Sequence, residues 1–131
     1  MSRQKYRNKK IEVGGIEFDS KKEAKRYSDL LTLLRAGEIS DLQLQREFEL
    51  IPAQYEAVPR YGKKGQRLKD GQRCIEKGCV YKADFSYTTR DGLLVVEDVK
   101  GYRNPNSAGY AKFVIKRKLM LWLHGIRVVE V

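Results

Sequence analysis

Residues 80–100 read VYKADFSYTTRDGLLVVEDVK, and the reading of this stretch decides the fold. Val80 to Thr88 is rich in β-branched and aromatic residues. Arg90-Asp91-Gly92 carries tight-turn chemistry, and Leu93 to Lys100 resumes as a strand with a nearly continuous apolar start. The two strands are expected to be antiparallel neighbours. Residues two apart on a strand share a face, so Asp98 and Lys100 point one way and Glu97 and Val99 the other. Asp84 lies eight residues before Gly92 and Asp98 six after it, so a register near that turn brings the two aspartates to one height.

A charge placed after the run Leu93-Leu94-Val95-Val96 needs a partner, because a buried carboxylate is costly unless paired or bound to metal. Two carboxylates at one height repel each other, and a divalent cation removes that repulsion. Oxygen-only ligation suits Mg²⁺ or Mn²⁺ better than zinc. Such an ion would act on a phosphodiester, with Lys100 placed to orient the attacking water or offset developing negative charge. Glu97, on the opposite face, reads as a partner for a Lys or Arg. The bland alternatives are a strand-end ion pair for Asp98 and Lys100 and a hydrogen-bonded structural acid for Asp84.

Working towards the N-terminus, Leu42 to Ile51 alternates with period two and is expected to be one continuous strand. Leu42, Leu44, Phe48 and Leu50 would share its buried face; Gln45, on the other, is read either as an ordinary solvated strand glutamine or as facing the same cleft as the acids. Before it, Ser20 followed by Glu23 has capping-box spacing, Ala24, Tyr27, Leu31 and Leu34 form a helical stripe, and Gly37 supplies a stop. Ile11 to Phe18, alternating around Gly14-Gly15, reads as a short hairpin. Residues 1–10, MSRQKYRNKK, read as a solvated basic arm. The segment 52–77 holds two prolines, three glycines and the cations Arg60, Lys63, Lys64, Arg67, Lys69 and Arg73, and reads as a basic loop inserted into a single domain spanning residues 11–131.

Towards the C-terminus a loop spans Gly101 to Asn106. A helix is expected over Ser107 to Leu123, with Tyr110, Phe113, Val114, Leu121 and Trp122 available for burial and Gly125 as its stop. Ile126 to Val131 closes as a strand. The order is αβββαβ, an α/β fold in which a mixed central sheet is flanked by helices.

The segment KADF, a hairpin and then VVEDVKG resembles the bipartite motif of the PD-(D/E)xK, restriction-endonuclease-like nuclease superfamily. Asp84 stands in the place of the first acid and Asp98-Val99-Lys100 in that of the (D/E)xK tripeptide; Ala83 replaces the eponymous proline. The αβββαβ order is similar to that superfamily's core from Ser20 to Val131, and the whole chain resembles a small phage-borne family. The resemblance implies a catalytic centre of Asp84, Asp98 and Lys100. It also implies a metal site in which an acid on the first core helix, here Glu23, joins the two aspartates; the capping role of Glu23 stays open beside it. Small basic members of the superfamily include junction resolvases that act as homodimers, so branched DNA and a dimer are among its implications.

Composition points the same way. The 131 residues carry 27 Lys plus Arg against 17 Asp plus Glu, a formal net charge of +10, which favours a polyanionic partner. No apolar run is long enough for a membrane span and no apolar stretch follows the basic start, so the expectation is a protein that stays inside the cell that makes it, a phage-infected host included. Cys74 and Cys79 are expected as free thiols; a zinc site would need two more ligands, and the single His124 lies far along the chain. Tyr102 and Arg103 are expected beside the scissile region, and Lys112 and Lys116, spaced i, i+4, read either as part of a phosphate track or as an ordinary solvated helix face. The cations Arg60, Lys63, Lys64 and Arg67, with Tyr6, Tyr55 and Tyr61, are expected as generic nucleic-acid contacts. The reading is thus a metal-dependent DNA endonuclease, and the alternative a nucleic-acid-binding protein that keeps the fold without catalysis.

Overall fold

The computed structural model of the chain describes residues 10–100 and 106–131. It runs through β1 (Ile11–Val13), β2 (Ile16–Phe18), α1 (Lys21–Arg35), β3 (Ile39–Leu44), β4 (Glu47–Ile51), β5 (Gln54–Tyr61) and β6 (Arg67–Glu76). It continues with β7 (Cys79–Lys82), β8 (Phe85–Thr89), β9 (Leu94–Asp98), α2 (Ala108–His124) and β10 (Val129–Glu130). The centre is a mixed four-stranded sheet in the order β10-β9-β8-β3, antiparallel except for the parallel pair β9 and β10.

One helix covers each face. Phe85, Tyr87, Val95 and Val99 pack with Ala24, Tyr27 and Leu30 of α1 and with the β1–β2 hairpin. Val96 packs on the other face with Phe113 and Met120 of α2, and with Phe48, Leu50, Tyr81 and Val128. The ends of α1 follow from its flanking residues. Ser20 Oγ accepts from the Glu23 backbone N–H at 3.1 Å, and Gly37, at φ 74°, lets the N–H groups of Gly37 and Glu38 reach the carbonyls of Leu34 and Leu33. The sequence offers an apolar residue at both 30 and 31. The packed stripe takes Leu30, which is fully buried, as well as Leu31, which is partly buried against the same core, while Leu34 is left exposed.

Several further expectations are corrected. The segment 42–51 is not one strand, because Gln45 takes a left-handed conformation (φ 56°) that ends β3 and restarts the chain as β4. Leu42 and Leu44 therefore pack in the α1-side core and Phe48 and Leu50 in the α2-side core, where unbroken alternation would have kept all four together. Opposite this break, Ala83-Asp84 likewise divides the strand expected over Val80 to Thr88 into β7 and β8. The two breaks are stitched together by Gln45 N–H to Asp84 O at 3.2 Å and Ala83 N–H to Arg46 O at 2.9 Å, so both strands bend at one place and β4 pairs with β7 as a separate ribbon.

The segment 52–77 is a long antiparallel hairpin, β5 and β6, and not a loop. Its charges and prolines hide the strand pattern; Pro59 sits where the register shifts between Val58 and Arg60, a position that tolerates a missing N–H. On α2, Met120 is buried while Leu121 is half exposed and Trp122 is 85% exposed. The last strand is confined to Val129–Glu130, since Ile126 serves the turn from the Gly125 cap and only the final residues run beside β9. Among the described residues no helix is long and apolar enough to cross a membrane.

One ion pair ties α1 to the sheet. Glu97, 1% exposed on the α1 face of β9, receives both arms of the Arg26 guanidinium at 2.7 and 2.6 Å and the Tyr87 hydroxyl as well. Burial and the bond to Glu97 push the Tyr87 hydroxyl up to about 12, so it remains a donor. Removing one partner strands the other charge. Arg26→Ala is expected to lower stability by about 3 kcal/mol, and the double variant Arg26→Met/Glu97→Leu to recover most of it. Urea unfolding of both variants checks this; equal losses in the single and the double variant would show that the pair itself stabilises the fold.

Candidate active site

The coupled break in β3 and β8 creates the site. Continuing the β8–β9 register one step past Phe85 and Glu97 sets Asp84 across from Asp98. Asp84 lies just off the strand, and its Oδ2 accepts the Val99 N–H at 2.8 Å while Gln45 Nε2 stands 3.5 Å from Oδ1. Asp98, 7% exposed, accepts the Tyr81 hydroxyl at 2.7 Å on one oxygen and holds the Lys100 ammonium at 2.8 Å on the other. Lys100 Nζ also lies 3.6 Å from the centre of the Phe113 ring, so an aromatic face supports the ammonium from α2.

The acids strain against one another. Burial raises the Asp84 carboxyl above its ordinary range; the Val99 N–H works against this, the Asp98 charge adds to it, and Gln45 and Lys100 oppose it. Glu23 is pushed up to about 7, first by burial and then by the charges of Asp84, Asp19 and Asp98. Ser20 caps α1 by accepting the Glu23 N–H, while the Glu23 carboxylate stands in the field of the two aspartates. Tyr81 is held above its ordinary value by burial and by Asp98, which keeps it protonated and donating. At the rim, Lys22 Nζ donates to the Lys100 carbonyl at 2.5 Å.

The structure thus brings Asp84, Asp98 and Lys100 together, with Glu23 and Gln45 beside them. Tyr81 and the support of Phe113 beneath Lys100 were not anticipated. Only the two-residue spacing of Tyr81 and Ala83, both in the α2-side core, hinted at the first. Glu97 points away from the site to Arg26, as its strand parity indicated. Tyr102, Arg103 and residues 1–9, with Tyr6, lie outside the described residues. Lys112 is exposed and Lys116 half-buried on α2, and Arg60, Lys63, Lys64 and Arg67 lie on the β5–β6 hairpin. Cys74 and Cys79 are free thiols.

Hard oxygen donors under mutual repulsion are the right chemistry for a divalent cation. Among the described residues, however, no group of three or more His, Cys, Asp or Glu is drawn together as a ready ligand set. The two aspartates fit such an ion as a pair, with Glu23 at a remove.

The profile of a protein family of unknown function, DUF1064, matches residues 3–124. The chain belongs to DUF1064. No characterised protein and no solved structure matches it.

In this DUF1064 chain the raised acids set the sign of a pH effect. A carboxyl whose folded value lies above its unfolded one contributes stability below the unfolded value and loses it as pH rises through the folded value. For Glu23 the window runs from about 4.5 to about 7. Without divalent metal, Glu23→Gln is therefore expected to gain stability over the parent progressively as pH rises across that window. Thermal melting at matched pH values checks this; a parent-to-variant difference that does not vary with pH would contradict the electrostatic account.

Proposed function

We propose that this chain is a Mg²⁺- or Mn²⁺-dependent DNA endonuclease with a centre of the PD-(D/E)xK type. The observation that carries the reading is the juxtaposition of Asp84, Asp98 and Lys100 at the kinked end of the sheet, with the lysine 2.8 Å from Asp98. A sheet in the order β10-β9-β8-β3 with one helix on each face supports a restriction-endonuclease-like core. The net charge of +10 supports a polyanionic substrate.

Asp84 and Asp98 would hold the ion, with Glu23 as the third acid in their field. When bound, such an ion supplies Lewis acidity at a phosphodiester and a more acidic water. The Val99 N–H and the Tyr81 hydroxyl fix the two aspartates, so that neither reorients while charge develops. Lys100, held over Phe113, orients the attacking water or balances the charge that gathers on the phosphoryl oxygens. Water oxygen bonds to phosphorus, the bond from phosphorus to the leaving sugar oxygen breaks, and that oxygen departs with a proton. The same acids repel phosphate when no cation is present.

Purified protein is expected to nick supercoiled or branched DNA with Mg²⁺ or Mn²⁺ and to stop with EDTA. Asp84→Asn and Asp98→Asn should abolish cutting while DNA binding stays intact or tightens. Metal-dependent cutting by either variant would end the assignment, and DNA binding without cutting by the parent would favour a non-catalytic binder.

Lys100 separates an enzyme from a metal-binding fold. Lys100→Ala is expected to cut at least ~100-fold more slowly at saturating metal, the consequence of losing about 3 kcal/mol of transition-state stabilisation. Lys100→Arg should recover little, since a planar guanidinium does not replace a compact ammonium. Single-turnover cleavage beside thermal melting of the same variants decides; normal turnover by Lys100→Ala would remove the lysine from the mechanism.

A further inference from the structure

The β5–β6 hairpin has no role in the core. None of its strand residues is fully buried, and among the described elements β5 and β6 pack only on each other. An isolated two-stranded hairpin is marginal in water, so a ribbon of 8- and 10-residue strands calls for something outside the domain to rest on. Its internal ties are local: Arg73 pairs with Glu56 across the strands, Arg67 pairs with Asp70 at 2.6 Å, and the Arg67 guanidinium lies 5.7 Å from the centre of the Tyr61 ring.

We propose that this arm is a grip for double-stranded DNA, lying in a groove of the duplex with its tip cations on the phosphates. The proposal rests on the nucleic-acid reading above and adds the form of the substrate. Between residues 52 and 78 the cations outnumber the acids seven to three. Arg67 and Arg73 are occupied by Asp70 and Glu56, whereas Arg60, Lys63, Lys64 and Lys69 have no acidic partner among the described residues. Lys63 and Lys64 sit side by side at the tip, in a turn closed by Gly62 N–H to Gln66 O at 2.8 Å and completed by Gly65 at φ 77°.

Shape separates duplex from single strand. Two paired strands form a ribbon that a major groove about 12 Å wide admits. At about 3.3 Å per residue the arm is roughly 30 Å long, enough to lie in the groove and reach its flanking phosphates. Single strands are instead held in concave, aromatic-lined channels, and an arm exposed on both faces offers no such channel. The open strand edges would also suit a second copy of the chain, but two arms with the same excess of cations repel each other.

The test is equilibrium binding in EDTA, where cleavage plays no part, using a duplex of about 30 base pairs and a single strand of equal length over a range of salt. Lys63→Gln/Lys64→Gln changes only exposed tip side chains; its thermal melting is expected to match the parent, and a lowered Tm would overturn the tip's independence from the core. The variant should bind duplex at least ~10-fold more weakly, with a salt slope flatter by about 2, since each phosphate left without its lysine removes about 0.9 from the slope. Its single-strand affinity should change by less than about 2-fold. Unchanged duplex binding, an equal drop on single strands, or a shift in oligomeric state by sedimentation would each overturn the proposal. The two readings fail separately. A parent that never cuts DNA but loses its duplex preference in the tip variant sinks the nuclease and keeps the grip; a parent that cuts, with a tip variant that binds and cuts equally well, does the reverse.

Discussion

The arrangement depends on one coupled bend, where β3 and β8 stop together at Gln45 and Asp84. Two main-chain hydrogen bonds lock the breaks to each other. A left-handed Gln45 is an uncommon conformation for a residue with a Cβ, and it persists here because the opposing strand holds it. From this bend follow the division of the apolar residues between two cores, the separate β4–β7 ribbon from which the arm grows, and the position of Asp84. Freed from the ladder, its carboxylate takes the Val99 N–H just beyond β9 and comes to rest across from Asp98.

The β9 strand shows how neighbouring acids acquire opposite characters. Glu97 faces α1, where Arg26 and Tyr87 satisfy it, and its work is structural. Asp98 faces α2 and meets one phenol, one ammonium and the field of two further acids. The carboxyls of Asp84 and Glu23 are raised first by burial and further by the neighbouring acids, and Lys100 opposes this only at Asp84. A centre in that condition favours added cations, and this underlies the proposed metal chemistry. Arg26 lies one turn after Glu23 on α1, so the pair that anchors this helix also holds Glu23 over the site.

The exterior divides by chemistry as well. The arm presents cations and tyrosines without a core behind them, whereas α2 carries no acid and leaves Trp122 in solvent. Neither feature is needed to close the fold.

Local patterns alone carried much of this. The β8–β9 hairpin follows from β-formers either side of Asp91-Gly92, both helices from their serine caps and terminal glycines, and the common side of Asp98 and Lys100 from strand parity. These depend on contacts within a few residues, so the sequence contains their causes. The three-dimensional fold alone decided the rest. Period two in Leu42 to Ile51 cannot reveal a reversal at Gln45, because that conformation is stabilised by Asp84, a residue 39 positions away. The choice of Leu30 over Leu34, of Met120 over Trp122, and of Tyr81 as the partner of Asp98 likewise rests on which surfaces meet across the sheet. The arm was hidden for a related reason: strand pairing satisfies its backbone without burying its side chains, so no apolar alternation marks it. Sequence determined the helices, the β8–β9 hairpin and the chemistry they carry, and long-range packing decided where the other strands break or pair and which side chains share a space.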